Sequence, residues 1–174
     1  MSDGMTLRLR PLTAEAFAAY GQVIEAAAVG AVAAAWVNGG TSRRHEALPD
    51  LNLQQAQGRA VLAVYDARAR TFPFAAHGLE RHRLGDQVFL PLGGPRRAVV
   101  LVALAGAEPS PEACEAFLTD GTQGFCIAAG TWHHGLLALD DGPWVVLERR
   151  ARDGEVDCDE VHWAEPLVLG LPGA

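Results

Sequence analysis

Two adjacent imidazoles, His133 and His134, follow Trp132 and lie between the apolar runs Phe125-Cys126-Ile127-Ala128-Ala129 and Leu136-Leu137-Ala138-Leu139. In an acidic chain of 174 residues with six histidines, this pair is the first candidate for moving protons or binding a metal. A β-strand points successive side chains to opposite faces, so only one of the two enters a given interior. The plain alternative is two partly exposed histidines at a strand mouth, satisfied by backbone or water. A second segment shifts the balance. Glu80 and His82 stand two residues apart, and Gly85-Asp86 between two alternating runs is the signal of a two-residue hairpin. Pairing Leu84 with Gln87, His82 with Phe89 and Glu80 with Pro91 gathers Glu80, His82 and Gln87 on one face. The same register turns Arg81, Arg83, Val88 and Leu90 to the other.

A third set is cationic. Trp36-Val37-Asn38-Gly39-Gly40-Thr41-Ser42-Arg43-Arg44-His45 is a glycine turn followed by two arginines and a histidine. Guanidinium groups offer paired donors that match a carboxylate, although an ordinary solvated loop has the same composition. The formal charge of -7 argues against nucleic acid or an anionic membrane surface as the main partner. An anionic ligand must therefore be held by local Arg and His groups. Cys114, Cys126 and Cys158 are odd in number and form no CxxC pair, which suits a reducing, cytoplasmic setting. Met1-Ser2-Asp3-Gly4-Met5 does not begin a signal peptide, and apolar runs such as residues 98–105 are too short to span a bilayer.

The elements that must position these groups are mostly short strands. Leu7 to Leu12 alternates and ends near Pro11; Thr13 then reads as an N-cap, with Glu15 in the first turn, a Leu12–Phe17 staple and Gly21 as the stop. Gln22–Glu25 and Trp144–Arg150 read as strands, Arg59–Asp66 as a largely buried one, and Ala98–Ala105 as the central core strand. Ser110 as cap and Pro111 at the first helical position predict a second short helix reaching about Leu118. The alanine-rich residues 26–35 read as a short helix or a loose insertion, and the acidic Asp157–Trp163 as a solvated face. The expectation is one domain over residues 1–174, mainly β, a sandwich or barrel with two short peripheral α-helices.

Two resemblances follow. Glu80-Arg81-His82 stands where a cupin barrel carries its HxH pair, Gln87 where it carries a carboxylate, and Gly130-Thr131-Trp132-His133 resembles the GxxH of its second motif. Two of the four ligand positions are altered. From Leu12 to Trp163 the chain resembles the ureidoglycolate lyase family. The likeness is carried by Leu12-Thr13-x-Glu15-Ala16-Phe17-x-x-Tyr20-Gly21, Asn38-Gly39-x-x-x-Arg43-x-His45 and Leu79-Glu80-Arg81-His82-x-Leu84-Gly85. Phe89-x-Pro91, Phe117-x-x-x-Gly121-x-Gln123-Gly124 and Trp132-His133-His134 extend it.

The resemblance implies a cupin-like β-barrel, a homodimer, cleavage of ureidoglycolate into glyoxylate and urea, and Ni²⁺ or another divalent ion as an optional cofactor. The substrate's central carbon bears a hydroxyl, a carboxylate and a urea nitrogen. Its cleavage needs a base for the hydroxyl proton and an acid for the departing nitrogen, each typically contributing about 10²–10⁴-fold. His82 and His133 are expected at that carbon, with Glu80 as the second proton carrier. If a metal is bound, Glu80, His82, Gln87 and His133 are its candidate ligands. Arg43 and His45, beside Asn38, are expected to clamp the substrate carboxylate, with Gln87 and Trp132 as further contacts and Arg149 in reserve. The competing expectations are an amidohydrolase that releases ammonia and a non-catalytic module that binds a small organic acid. An oxygenase or isomerase on the same scaffold rests on fold analogy alone.

Overall fold

Alternating apolar residues and glycine turns make this chain a succession of strands. The computed structural model describes residues 5–26, 35–47 and 50–172. In chain order come β1 (Thr6–Arg8), β2 (Arg10–Pro11), helix α1 (Ala14–Phe17), β3 (Gly21–Ile24), β4 (Ala35–Val37), β5 (Ser42–Arg44), β6 (Arg59–Ala67), β7 (Phe74–His82) and β8 (Gln87–Pro91). There follow β9 (Ala98–Ala103), β10 (Glu115–Leu118), β11 (Gly124–Ile127), β12 (Trp132–His133), β13 (Leu137–Ala138), β14 (Gly142–Arg150) and β15 (Cys158–Gly170).

Sheet I has the order β1-β15-β7-β12-β9-β10-β2, with β13 also on β9; sheet II has the order β3-β11-β8-β14-β6, and β4 and β5 form a separate ribbon. The edges of sheet I, β1 and β2, are joined through the buried Leu9. Leu9, Leu79, Val99, Leu101, Trp132, Leu167 and Leu169 pack as one core built from this sheet and its turns, so the sheet curls on itself into a barrel-like wall. A second core joins Val100, Val102 and Phe117 of sheet I to Phe89, Phe125, Trp144 and Val146 of sheet II, with Phe17 of α1 as a plug. Every residue of β9 is buried because its two faces serve the two cores.

The mainly β, barrel-like architecture agrees with the sequence reading. The first helix also agrees: Thr13 caps α1, its Oγ1 accepting from Ala16 N at 3.2 Å. Three expectations are corrected. Gly85-Asp86 does not close a hairpin: β7 pairs with β12 and β15, whereas β8 pairs with β11 and β14, so the turn carries the chain from one sheet to the other. Asp86 accounts for this, because its carboxylate accepts from the backbone N–H of Asn52 and of Ala129, both at 2.8 Å, and fixes the connector to two other loops. The second helix is only a 3₁₀ turn, Pro111–Ala113; Glu115–Leu118 instead pairs antiparallel with Val99–Val102, where Phe117 is fully buried. β6 is an edge strand, with Leu62 and Val64 exposed rather than buried. Most of the alanine-rich segment lies outside the described residues.

Candidate active site

The site is set by β12, which is only two residues long. His133 stands opposite Glu80 of β7 and opposite Val102 of β9, while Trp132 stands opposite Ala103. Strand alternation sends Trp132 into the core inside sheet I and His133 toward the space between the sheets, where Val102 also packs. On β7 the same alternation turns Glu80 and His82 to His133 and leaves Arg81 on the other side, its guanidinium 4.5 Å from the Trp132 ring centre. The turn before β12 needs Gly130, whose φ of +83° lies in the left-handed region. Gly130 N–H donates to His82 O at 2.7 Å, which locks the two histidine-bearing segments together.

His133 is 1% exposed. Its Nδ1 lies 2.9 Å from Thr131 O, a carbonyl that can only accept, so Nδ1 carries the proton and Nε2 presents a lone pair. That Nε2 has no hydrogen-bond partner and lies 3.9 Å from Glu80 Oε1. The His82 ring centre is 5.4 Å from that of His133. Burial pushes the His133 pKa down to about 4, outweighing the opposing hydrogen bond to Thr131, with His82 and His134 lowering it further. At neutral pH the imidazole is therefore an uncharged acceptor. Buried polar atoms are ordinarily paired, so an orphaned ring nitrogen aimed at a carboxylate and a second imidazole marks a place for a ligand.

One carboxylate oxygen of Glu80 and one ring nitrogen each of His82 and His133 lie within 4.8 Å of one another. Two imidazoles and a carboxylate form a donor set that suits a divalent first-row metal. Cys158 of β15 faces His82, with Sγ 4.0 Å from Glu80 Oε2. Burial, followed by the charges of Glu80 and its acidic neighbours, raises its pKa and keeps it a neutral thiol.

The other expected residues are distributed differently. Gln87 is buried on sheet II and donates to Glu148 Oε2 at 2.9 Å. Trp132 supports the site from behind, in the other core. Arg149 is held in ion pairs with Asp157 at 2.9 Å and Glu155 at 2.8 Å and has no exposed side-chain surface, so it clamps loops rather than substrate. Asn38, Arg43 and His45 belong to the β4–β5 ribbon and the residues next to it: Arg43 lies over the exposed Trp36 ring, and His45 borders a depression beside Ala18 and Gln22. They do not meet the Glu80–His82–His133 group in this chain.

The sequence reading passed over Tyr65, Arg68, Arg70 and Glu148. Tyr65, Arg68, Arg70 and His134 line an open groove of ≈ 590 Å³ that also includes Gly135, where a Cβ would sit 3.8 Å from Glu80 Oε1. Neither Arg68 nor Arg70 makes an ion pair among the described residues. Alternation along Trp144-Val145-Val146-Leu147-Glu148 was the available signal for Glu148, a carboxylate on the inward face of an apolar strand.

The family model for ureidoglycolate lyase matches residues 4–170. The chain is 39% identical to a ureidoglycolate lyase of Burkholderia cepacia, covering 99% of both chains. It is 38% identical to one of Azotobacter vinelandii, over 95% of this chain and 96% of that one, and 37% identical to one of Pseudomonas aeruginosa, over 95% of each. With a model match over nearly its whole length and relatives of this similarity, the chain belongs to the ureidoglycolate lyase family.

Proposed function

We propose that this protein cleaves ureidoglycolate into glyoxylate and urea by acid–base elimination at the Glu80–His82–His133 group. The observation that carries the proposal is the unpartnered Nε2 of the buried His133 facing Glu80. His133 Nε2 takes the proton of the substrate hydroxyl. The O–H electron pair becomes the second bond of the glyoxylate carbonyl, the C–N bond breaks, and its pair stays on the leaving nitrogen. Glu80 or His82 passes the proton taken up by His133 on to that nitrogen, and urea departs. No water is consumed, so the product is urea rather than ammonia. If a divalent ion is held by Glu80, His82 and His133, it would supply Lewis-acid polarisation of the hydroxyl and carboxylate oxygens, and His133 Nε2 would then be its ligand in place of the base.

The carboxylate end of the substrate is directed to Arg68 and Arg70, the open cations of the groove beside Gly135. Arg70→Ala should raise KM more than it lowers kcat, because a carboxylate contact is equally present in ground and transition states. Purified protein incubated with ureidoglycolate, with and without chelator, should release urea and glyoxylate in equal amounts; ammonia in place of urea would remove the elimination mechanism.

The exposed Leu62 and Val64, 69% and 61% accessible on the edge strand β6, support a homodimer, since a bare apolar edge invites pairing. Light scattering at assay concentration tests it. The unpaired Cys114, Cys126 and Cys158 support a place in the cytoplasm, and ureidoglycolate as substrate would assign the reaction to purine degradation; among the described residues no helix is long and apolar enough to cross a membrane.

A further inference from the structure

A ureido group presents N–H donors and one carbonyl acceptor, and the wall opposite His133 carries the complementary set. Gln87, Glu148 and Tyr65 occupy the inward positions of three neighbouring strands of sheet II. Gln87 shares its face with Phe89, and Glu148 shares its face with the fully buried Trp144 and Val146. Tyr65 stands opposite Trp144 in the β6–β14 ladder, and Glu148 opposite both Gln87 and Val61. The Gln87 side-chain amide is spent on Glu148 Oε2, which orients both groups; Gln87 Oε1 and Glu148 Oε1 make no hydrogen bond among the described residues. Tyr65 borders the groove that includes Gly135, where a Cβ would sit 3.8 Å from Glu80 Oε1. Burial, then the charges of Glu148 and Glu80, raise the Tyr65 pKa, so its phenol remains a donor at neutral pH. Side chains from the inner faces of two packed sheets meet in the middle, so one small molecule can touch both sets.

We propose that Glu148, Gln87 and Tyr65 form the ureido-recognition subsite: Glu148 and Gln87 accept from the substrate N–H groups, and Tyr65 donates to its carbonyl oxygen. This rests on ureidoglycolate being the substrate. Sheet I then performs the proton transfers while sheet II selects the leaving group. A site built to satisfy a group by hydrogen bonds rejects analogues that lack it, so plain hydroxy acids should enter poorly.

Two inert probes separate the ends of the substrate. Hydantoate keeps the ureido and carboxylate groups without the hydroxyl, and glycolate keeps the hydroxyl and carboxylate without the ureido. Their affinities are measured as competitive inhibition constants and by calorimetry on the intact protein. Glu148→Gln should weaken hydantoate by about tenfold to a hundredfold, and Tyr65→Phe by about two- to tenfold, with glycolate unchanged in both. Unchanged hydantoate affinity in both variants overturns the subsite. Equal loss of both probes in Glu148→Gln and in the near-isosteric Gln87→Met overturns it too, because that pattern is structural damage rather than recognition. Loss of hydantoate alone in Gln87→Met supports it. Wild-type protein that ignores hydantoate, or that releases no urea from ureidoglycolate, removes the substrate assignment itself, a failure distinct from the first.

Discussion

Two groups of buried chemistry-bearing side chains among the described residues, around Arg149 and around His133, are opposites. Around Arg149 every guanidinium nitrogen is used: Nε donates to Gln55 O at 2.8 Å, and the two terminal nitrogens donate to Asp157 at 2.9 Å and Glu155 at 2.8 Å. Asp157 spends its other oxygen on Leu84 N–H at 3.0 Å. The neighbouring backbone is fitted so tightly that a Cβ on Gly58 would lie 2.3 Å from the Arg149 side chain, and one on Gly85 2.6 Å. Around His133, by contrast, Nε2 is left without a partner and faces Glu80 and His82 across a gap. A saturated polar cluster has nothing left to offer a ligand and acts as a brace. An unsaturated one carries an unmet demand that a substrate or a metal can fill.

That contrast fails if the two groups respond alike to truncation. His133→Ala should lower turnover at saturating substrate by about 10²–10⁴-fold, equivalent to about 3–5 kcal/mol of barrier, while the protein still unfolds cooperatively. The check is the rate of urea release with circular dichroism on the same preparation. Arg149→Met should do the reverse, costing about 3 kcal/mol of stability by stranding the buried carboxylate of Asp157, with kcat of the remaining folded protein changed by only a few-fold. Urea denaturation and active-site-normalised kinetics would show it. Loss of turnover without loss of stability in Arg149→Met would make it part of the site.

Acid sharpens the comparison, since the two groups fail in different windows. The His133 pKa is lowered from 6.5 to about 4, so between those values the unfolded chain binds more protons than the folded one. The stability from keeping this imidazole neutral is complete above pH 6.5 and is lost as pH falls toward 4. Over the single unit from pH 6.5 to 5.5 the loss is about 1 kcal/mol. Glu155, also shifted downward, chiefly by its hydrogen bond to Arg149, holds its contribution above its ordinary value of 4.5 and loses it only as pH falls further. In chelator-treated protein, the fall in stability from pH 6.5 to 5.5 should therefore vanish in His133→Ala and persist in Arg149→Met.

How much of this was legible depends on whether the cause was local. Alternation sufficed to separate His133 from His134 and to set Glu80 beside His82, because both follow from a strand's two-residue period, while the choice of His133 came from the likeness of Gly130-Thr131-Trp132-His133 to a cupin motif. Pairing partners were not local. Nothing within Leu79–Gly94 states that Asp86 will bind the backbone of Asn52 and Ala129, so the hairpin signal was outweighed by capture from elsewhere. Ser110-Pro111 begins a helical turn as its chemistry requires, but Glu115–Leu118 lies along β9, and the ladder overrides the propensity. The acidic Asp157–Trp163 reads as a solvated face, yet from Cys158 onward it is the first part of the thirteen-residue β15, whose partner β7 lies about eighty positions earlier. Arg149 resembled a clamp because its acidic partners sit six and eight residues on, brought back only by the fold.

The smallest effect tests whether burial, rather than pairing alone, makes a brace. Arg97 and Asp140 repeat the Arg149–Asp157 chemistry at the surface, with guanidinium nitrogens 3.0 and 3.1 Å from the carboxylate and side chains 54% and 36% exposed. The hydrogen bonds from Arg97 hold Asp140 below its ordinary carboxylate range, so the attraction is real. In water, however, the gain is offset by the entropy of holding two mobile side chains, and salt screens charges over about 8 Å at physiological ionic strength. Arg97→Gln should therefore cost less than about 1 kcal/mol, and that cost should shrink further in high salt. The Arg149→Met penalty should be nearly insensitive to salt, because the solvent that would screen it is excluded. Denaturation of both variants at low and high sodium chloride makes the measurement, and equal salt dependence would mean that the Arg149 cluster is wet and open, no longer a counterpart to the His133 site.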